Sequence, residues 1–369
     1  MTSTDGCAYG RLDSMLAAIE ALVRCESPTE DLAACQSVVR LASDIATRVL
    51  GTPAQIKEFE GRPVFWWGSN EPEILLLAHL DTVWPIGAYS PLWEVKADVV
   101  RGPGVFDMKA GFIQGLFALK DIANVADRVA LIATTDEETG SFASRKLIMN
   151  LSAQAKAVLI LEASLDGKVK TARKGTAMYK ITVHGLAAHA GLEPEKGVNA
   201  TVEIAQIILQ LASLESEKFG TTVVPTLLKS GNSANTVPDL AILEIDARSF
   251  SQSELERIDT AIKALTLKNP KARLEISGGL NRPPLQPSST EFLYQRFEKV
   301  AKEIGLSPIG SAEVGGASDG NFAAAAGAQV LDGLGAIGGG AHAPNEWLSL
   351  KSIEERSALL HAFIKDLLS

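Results

Sequence analysis

EILLLAHLDTV, residues 73–83, runs apolar from Ile74 to Ala78 and then turns polar at His79 and Asp81. A run this short with no polar alternation reads as a strand covered on both faces, central in a sheet. Working outward, RVALIATTD (128–136) and AKAVLILEA (155–163) have the same character, each apolar and each ending in acid. Between and around them lie amphipathic stretches of helical length: RLDSMLAAIEALVR (11–24), DLAACQSVVRLASDIATRVLG (31–51, closed by Gly51), MKAGFIQGLFALKDI (108–122) and FASRKLIMNL (142–151). RPVFWWG (62–68) reads as a further strand. Strands alternating with helices predict an α/β fold, a mixed and mostly parallel sheet with helices on both faces.

The pattern changes near residue 174. KGTAMYKITVHG alternates with the period of a half-exposed strand. The helix GVNATVEIAQIILQLASL, strands TTVVPTLLKS and LAILEIDARSF, helix SELERIDTAIKALT and strand ARLEISGG follow. This β-α-β-β-α-β order predicts a ferredoxin-like α+β domain inserted into the larger one. RPPL (282–285) reads as the return linker; after it STEFLYQRFEKVAKEIG, a helix through FAAAAGA and the apolar AQVLDG resume the first pattern. The expected organisation is 1–173, an insert at 174–282, and 283–369.

At 369 residues with 46% hydrophobic and 21% charged residues, the chain can bury its own core. The balance 35 − 44 = −9 argues against nucleic acid or an anionic membrane as partner. Cys7, Cys25 and Cys35 fit no CxxC or CxH pattern and read as structural thiols. Neither a signal peptide nor an apolar run of about 18 residues is visible, which leads to the expectation of a reduced, cytoplasmic setting.

Chemistry concentrates at the ends of the apolar strands. In His79-Leu80-Asp81, residues two apart share a strand face, so Asp81 could hold the imidazole nitrogen turned away from a metal; a purely structural HxD is an even alternative. Asp107, in GPGVFDMK, precedes a helix and could be an N-cap, a metal ligand, or both. The glycines there have neither dinucleotide nor phosphate-loop spacing, which leaves an oxidoreductase remote. Glu137 and Glu138 follow a strand at its carboxyl end; such a pair is usually solvated loop, but it can divide into ligand and general base. Glu162 closes an apolar run, where an unpartnered carboxylate is costly. His342 lies in GGGAHAPNEW, where glycines allow close backbone approach, or where it is an incidental loop residue. Mixed imidazole and carboxylate donors suit Zn²⁺, with Co²⁺ or Mn²⁺ as substitutes, and five donors plus one free Glu suit two ions better than one.

In order along the chain, AHLDTV, GPGVFDMKAG, TTDEETGS, LEAS, GLAAHAGLEPEKGVNA, NTVPDLAILEIDARS, GGASDGN and GGGAHAPNE resemble the co-catalytic zinc peptidase family of glutamate carboxypeptidases, aminoacylases, and acetylornithine and succinyl-diaminopimelate deacylases. The resemblance is nearest to the glutamate carboxypeptidase branch. It implies a zinc-exopeptidase-like catalytic domain with an inserted lid that also forms the usual homodimer. It implies Asp107 bridging two zinc ions, His79 and Glu162 completing one site, Glu138 and His342 the other, Glu137 as base and Asp81 orienting His79. A cis Asp107–Met108 bond is also implied. From the lid it implies His189 as oxyanion donor, against a local role capping backbone, and Arg248 as clamp on a substrate carboxylate, against a plain ion pair with Asp246. Asn235 would line the same pocket, and Gly315 and Gly316 would bring backbone near it. His184 and His361 are read as structural, His361 on the polar side of the last helix. The implied substrate is a small peptide or N-acyl amino acid, cut beside a free carboxylate; a biosynthetic deacylase and an inactive metal-dependent binding protein are the alternatives.

Overall fold

The computed structural model describes residues 11–306 and 308–369; Cys7 falls outside them. The described residues form two compact units. One comprises those up to Ala172 with Gln286–Val314 and Ser318–Ser369, the other Arg173–Leu285 with Gly315–Ala317.

In the first unit a six-stranded sheet runs, edge to edge, Gln55–Phe59, Arg62–Gly68, Val129–Thr134, Ile74–His79, Ala157–Ile160 and Val330–Leu331. Ile74–His79 pairs in parallel with both neighbours, and Val330–Leu331 continues the parallel part. The first two strands are added antiparallel. All six residues of Ile74–His79 are buried. Because successive side chains point to opposite faces, this requires cover on both sides of the sheet. Helices supply it, among them Leu32–Leu50, which starts on Asp31, whose carboxylate accepts the Ala34 N–H at 2.9 Å, and stops at left-handed Gly51.

The edge strand Gln55–Phe59 was not expected; its pattern is mostly exposed, without the apolar run that marks the others. Nor were the short strands Gly338–Gly339, Trp347–Ser349, Val99–Arg101 and Glu94–Lys96, which form a small separate sheet. AQVLDG yields only a two-residue strand. His361 corrects the expectation of a polar-side residue. It is buried, with Nδ1 2.8 Å from the Ala118 carbonyl, so it ties the last helix to helix Ala110–Leu119. Among the described residues no helix is long and apolar enough to cross a membrane.

The second unit is one antiparallel sheet in the order Thr222–Ser230, Leu240–Ser249, Gly175–His184, Arg273–Arg282. Helices Ala200–Leu211 and Gln252–Lys263 pack on it through Ile204, Ile207, Leu211, Ile258 and Ile262. Gly175–His184 alternates buried with more exposed positions along its second half, as its period-two sequence requires. This is the ferredoxin-like arrangement. His184 is the last residue of the inner strand Gly175–His184, with Nε2 3.3 Å from Glu275.

The end of strand Ala157–Ile160 is stapled into place. Leu161 N–H donates to the Leu77 carbonyl, and the Glu162 carbonyl accepts from Gly335 N–H, each at 2.9 Å. Helix Ala110–Leu119 reaches this segment only because residue 111 is glycine; a Cβ there would lie 2.0 Å from the Leu161 carbonyl oxygen. In an ordinary helix Gly→Ala stabilises by up to about 1 kcal/mol. Here the steric term wins, and Gly111→Ala is expected to lower unfolding free energy by about 1–3 kcal/mol. Urea denaturation showing unchanged or raised stability would contradict this close packing.

Candidate metal centre

Five loops at one end of the parallel strands bring the acidic and imidazole groups together. Strand Ile74–His79 ends at His79, so Leu80 and Asp81 lie beyond it. The expectation that His79 and Asp81 share a strand face is therefore corrected: the loop, not the pleat, brings them together. His79 Nδ1 lies 3.1 Å from the Asp81 carbonyl oxygen and 3.4 Å from its carboxylate. The shorter contact has hydrogen-bond geometry, so it fixes the ring. Asp81 Oδ2 in turn accepts from Thr29 Oγ1 at 2.7 Å and Glu138 N–H at 3.2 Å, and is fully buried.

With Nδ1 turned inward, His79 Nε2 faces Asp107 Oδ1 at 3.3 Å and Glu162 Oε1 at 3.7 Å. The other oxygen of Asp107 faces a second imidazole: His342 Nε2 is 3.4 Å from Asp107 Oδ2 and 3.0 Å from Glu138 Oε2. Asp107 thus stands between two histidine–glutamate pairs, one carboxylate oxygen toward each. It is not an N-cap, because the helix begins at Ala110 and no side chain caps it. The Asp107–Met108 peptide is cis. Glu137 is buried in the turn Glu137–Thr139, its oxygen within 4.8 Å of donor atoms of His79 and Glu162; His79, Asp107 and Glu138 form a second such group.

These donors fit a bound cation. Nitrogen and oxygen ligands about 2.1 Å from a tetrahedral ion stand about 3.4 Å apart, and the contacts made by His79 and His342 fall at 3.0–3.7 Å. Electrostatics agree. Burial opposes charge on His79, but the neighbouring Asp107 and Asp81 carboxylates outweigh it and hold the imidazole well above its ordinary value. Hydrogen bonds to Asp107 and Glu138 lift His342 to about 10. Burial lifts Glu138 to about 7, despite its contact with His342. Like charges about 4 Å apart repel by about 4 kcal/mol at an effective dielectric of 20. Without another cation, protonated imidazoles must supply the compensating charge.

The remaining candidates lie in the second unit. His189 Nδ1 accepts the N–H groups of Gly191 and Leu192 at 3.1 and 3.2 Å. The local capping role is thus real, and it sets the tautomer: an accepting Nδ1 leaves the proton on Nε2. Ala190 N–H donates to the Asn235 carbonyl, and His189 bridges Thr236, so Asn235 is held beside the histidine loop. Its Oδ1 accepts from Ser233 Oγ at 2.6 Å. Arg248 makes the two-pronged ion pair with Asp246, Nε and Nη2 to the carboxylate oxygens at 2.8 and 2.9 Å, while Nη1 donates to the Gly315 carbonyl at 3.1 Å. Gly316 likewise offers its carbonyl, to Arg173 Nη1 at 3.1 Å.

Sequence reasoning missed Glu346. It is 1% exposed, and its carboxylate grips the backbone carrying Asp107: Oε1 accepts from Phe106 and Asp107 N–H at 2.9 and 3.1 Å, Oε2 from Gly104 N–H at 3.0 Å and Trp84 Nε1 at 3.4 Å. The same loop, between strands Gly338–Gly339 and Trp347–Ser349, carries His342 at its tip. The only sequence signal was an acid directly before a tryptophan and four residues after a candidate ligand. Gln at 346 would turn an N–H₂ toward amide donors. Glu346→Gln is expected to weaken metal affinity about 10–100-fold, the range for groups that orient ligands, with the metal-free melting temperature measured alongside. Unchanged affinity in chelator competition would remove Glu346 from ligand positioning.

Residues 75–366 match peptidase family M20/M25/M40. Carboxypeptidase G2 of Pseudomonas sp. (strain RS-16) is 31% identical over 315 residues, covering 81% of this chain and 75% of that protein. Succinyl-diaminopimelate desuccinylase of Sulfurovum sp. (strain NBC37-1) is 25% identical over 324 residues, covering 80% and 84%. Among solved structures, the M20 family metallo-carboxypeptidase of Sulfolobus solfataricus superposes with a TM-score of 0.77 at 17% identity, covering 96% of this chain and 99% of that one. A tripeptidase of Staphylococcus aureus gives 0.73 at 22%, covering 96% and 98%. The chain belongs to peptidase family M20/M25/M40 and is a hydrolase of peptide or acyl-amino-acid bonds.

Proposed function

We propose that this protein is a dinuclear zinc hydrolase that cleaves an amide bond beside a free carboxylate, in the manner of a glutamate-type carboxypeptidase. The observation that carries the reading is Asp107, whose two oxygens each face a different histidine, each histidine paired with its own glutamate. That pattern suits a carboxylate shared by two ions, with His79 and Glu162 on one and Glu138 and His342 on the other. Similarity to carboxypeptidase G2 supports the carboxypeptidase branch. Similarity to succinyl-diaminopimelate desuccinylase favours the second reading, an N-acyl-amino-acid deacylase with the same centre.

Two Zn²⁺ ions, or Co²⁺ or Mn²⁺ in their place, would when bound polarise the scissile carbonyl and acidify water. The chain supplies the rest. Glu137, buried beside His79 and Glu162, takes the proton of the attacking water and passes it to the leaving amine. Asp81 and its Thr29 contact keep His79 facing the centre through Nε2. His189, its proton on Nε2, donates to the oxyanion that develops on the carbonyl. Arg248 grips the substrate carboxylate; Asp246 and the Gly315 carbonyl hold its planar fork. Asn235 and the Gly316 backbone line that position. The second unit would then serve as lid and homodimer surface, and its strand Thr222–Ser230 leaves Val224, Leu227 and Leu228 exposed.

Two substitutions test the roles. Glu137→Ala is expected to lower kcat by about 10²–10⁴-fold while two metal equivalents remain by elemental analysis; retained turnover would remove it as the base. Arg248→Ala is expected to raise KM for substrates with a free carboxylate much more than for their amides. Equal loss on both would refute the clamp.

A further inference from the structure

Beside the metal centre the first unit has a cavity of about 660 Å³, with Glu138 and Thr139 in one wall. Its other walls come from the start of helix Leu32–Leu50 and from the loop after strand Ile74–His79. Three large apolar side chains stand exposed there: Leu32 at 41%, Val83 at 39% and Ile86 at 58%. Single exposed apolar residues need no explanation, but several converging on one cavity do, above all where the neighbouring centre is strongly polar. The fold does not use them, since none belongs to the core cluster of the unit. The remaining lining adds Pro28 and Pro85, two threonines, and the acids Glu30 and Asp31, with no lysine or arginine.

We propose that this cavity is the binding site for the acyl side of the substrate, and that it selects a bulky, uncharged, apolar acyl group. This rests on the proposed function, in which the carboxylate end is held by Arg248. The cavity has the size of a small-molecule pocket, about 300–1,000 Å³, and exceeds what an acetyl group fills. Its acids, unbalanced by any base in the lining, repel an anionic acyl group such as succinyl. Its carbon-lined walls gain by removing methylenes from water.

The test is a series of N-acyl-glutamates carrying acetyl, succinyl, hexanoyl and octanoyl groups, assayed with the zinc-loaded full chain. From acetyl to octanoyl, kcat/KM is expected to rise about ten-fold or more, and succinyl to fall below acetyl. Ile86→Asp, at an exposed loop position, is expected to collapse the octanoyl-to-acetyl ratio by about ten-fold. Leu32→Glu, in a first helical turn where a carboxylate is tolerated, should do the same if the loop variant misfolds. A flat chain-length profile, a preference for succinyl, or a ratio untouched by both variants would overturn the assignment while leaving the carboxypeptidase reading intact. If no acyl-glutamate is hydrolysed, that reading fails instead, and calorimetric titration with octanoate against acetate still decides the cavity. Tighter octanoate binding that Ile86→Asp removes supports the site; equal affinities overturn it.

Discussion

Concentrated negative charge is the constraint to which this site answers. Asp81, Asp107, Glu137, Glu138 and Glu162 converge around two imidazoles, and most of these groups are buried. Carboxylates out of water and near one another are unfavourable unless cations or donors compensate them. The protein compensates several of them by local contacts. Asp81 receives a threonine hydroxyl and a backbone amide. Asp107 and Glu138 receive imidazoles. Glu346, one layer further out, receives three backbone amides. Burial still lifts Glu346 to about 7. What is left over is the positive charge between the histidines, the place a divalent ion would take.

The sheet explains why these groups meet. Ile74–His79, Val129–Thr134 and Ala157–Ile160 run parallel, so their carboxyl ends fall on one edge and present His79, Glu137 with Glu138, and Glu162 together. Each of these strands is buried on both faces, so polar–apolar alternation does not set its register and close packing must. Packing then refines position: Gly111 and Gly335 let backbone approach Leu161 closely, which sets the Glu162 carbonyl and hence the direction of its side chain.

Much of this was legible in the sequence, for a physical reason. Apolar runs ending in His or acid mark both a central strand and the end where polar groups gather, so the sheet and the cluster beside it are written in the same residues. The β-α-β-β-α-β order likewise determined the second unit. What the sequence hid was held by tertiary contacts alone. Gln55–Phe59 is an exposed edge strand defined by its partner rather than by its own pattern. His361 looked polar, but the Ala118 carbonyl makes its burial tolerable. Glu346 gave no periodic signal because its partners are amides distant in sequence, and amides are invisible to residue type. The Asp81 contact was anticipated for the wrong cause, a strand face instead of a loop.

The loop between Gly338–Gly339 and Trp347–Ser349 joins these levels. Its tip places His342 at φ +61°, a left-handed conformation that costs a non-glycine residue about 1–2 kcal/mol, and leaves its side chain half exposed. Its far end buries Glu346 against the Asp107 backbone. One short segment therefore carries His342 and also fixes the backbone of Asp107, the carboxylate that His342 faces. His79 ends a strand, and Glu138 and Glu162 follow strands, all three with fully buried interiors. The Glu346 anchor holds one end of this loop through three backbone amides, so placing His342 beside Asp107 carries a lower entropic cost than in a loop free at both ends.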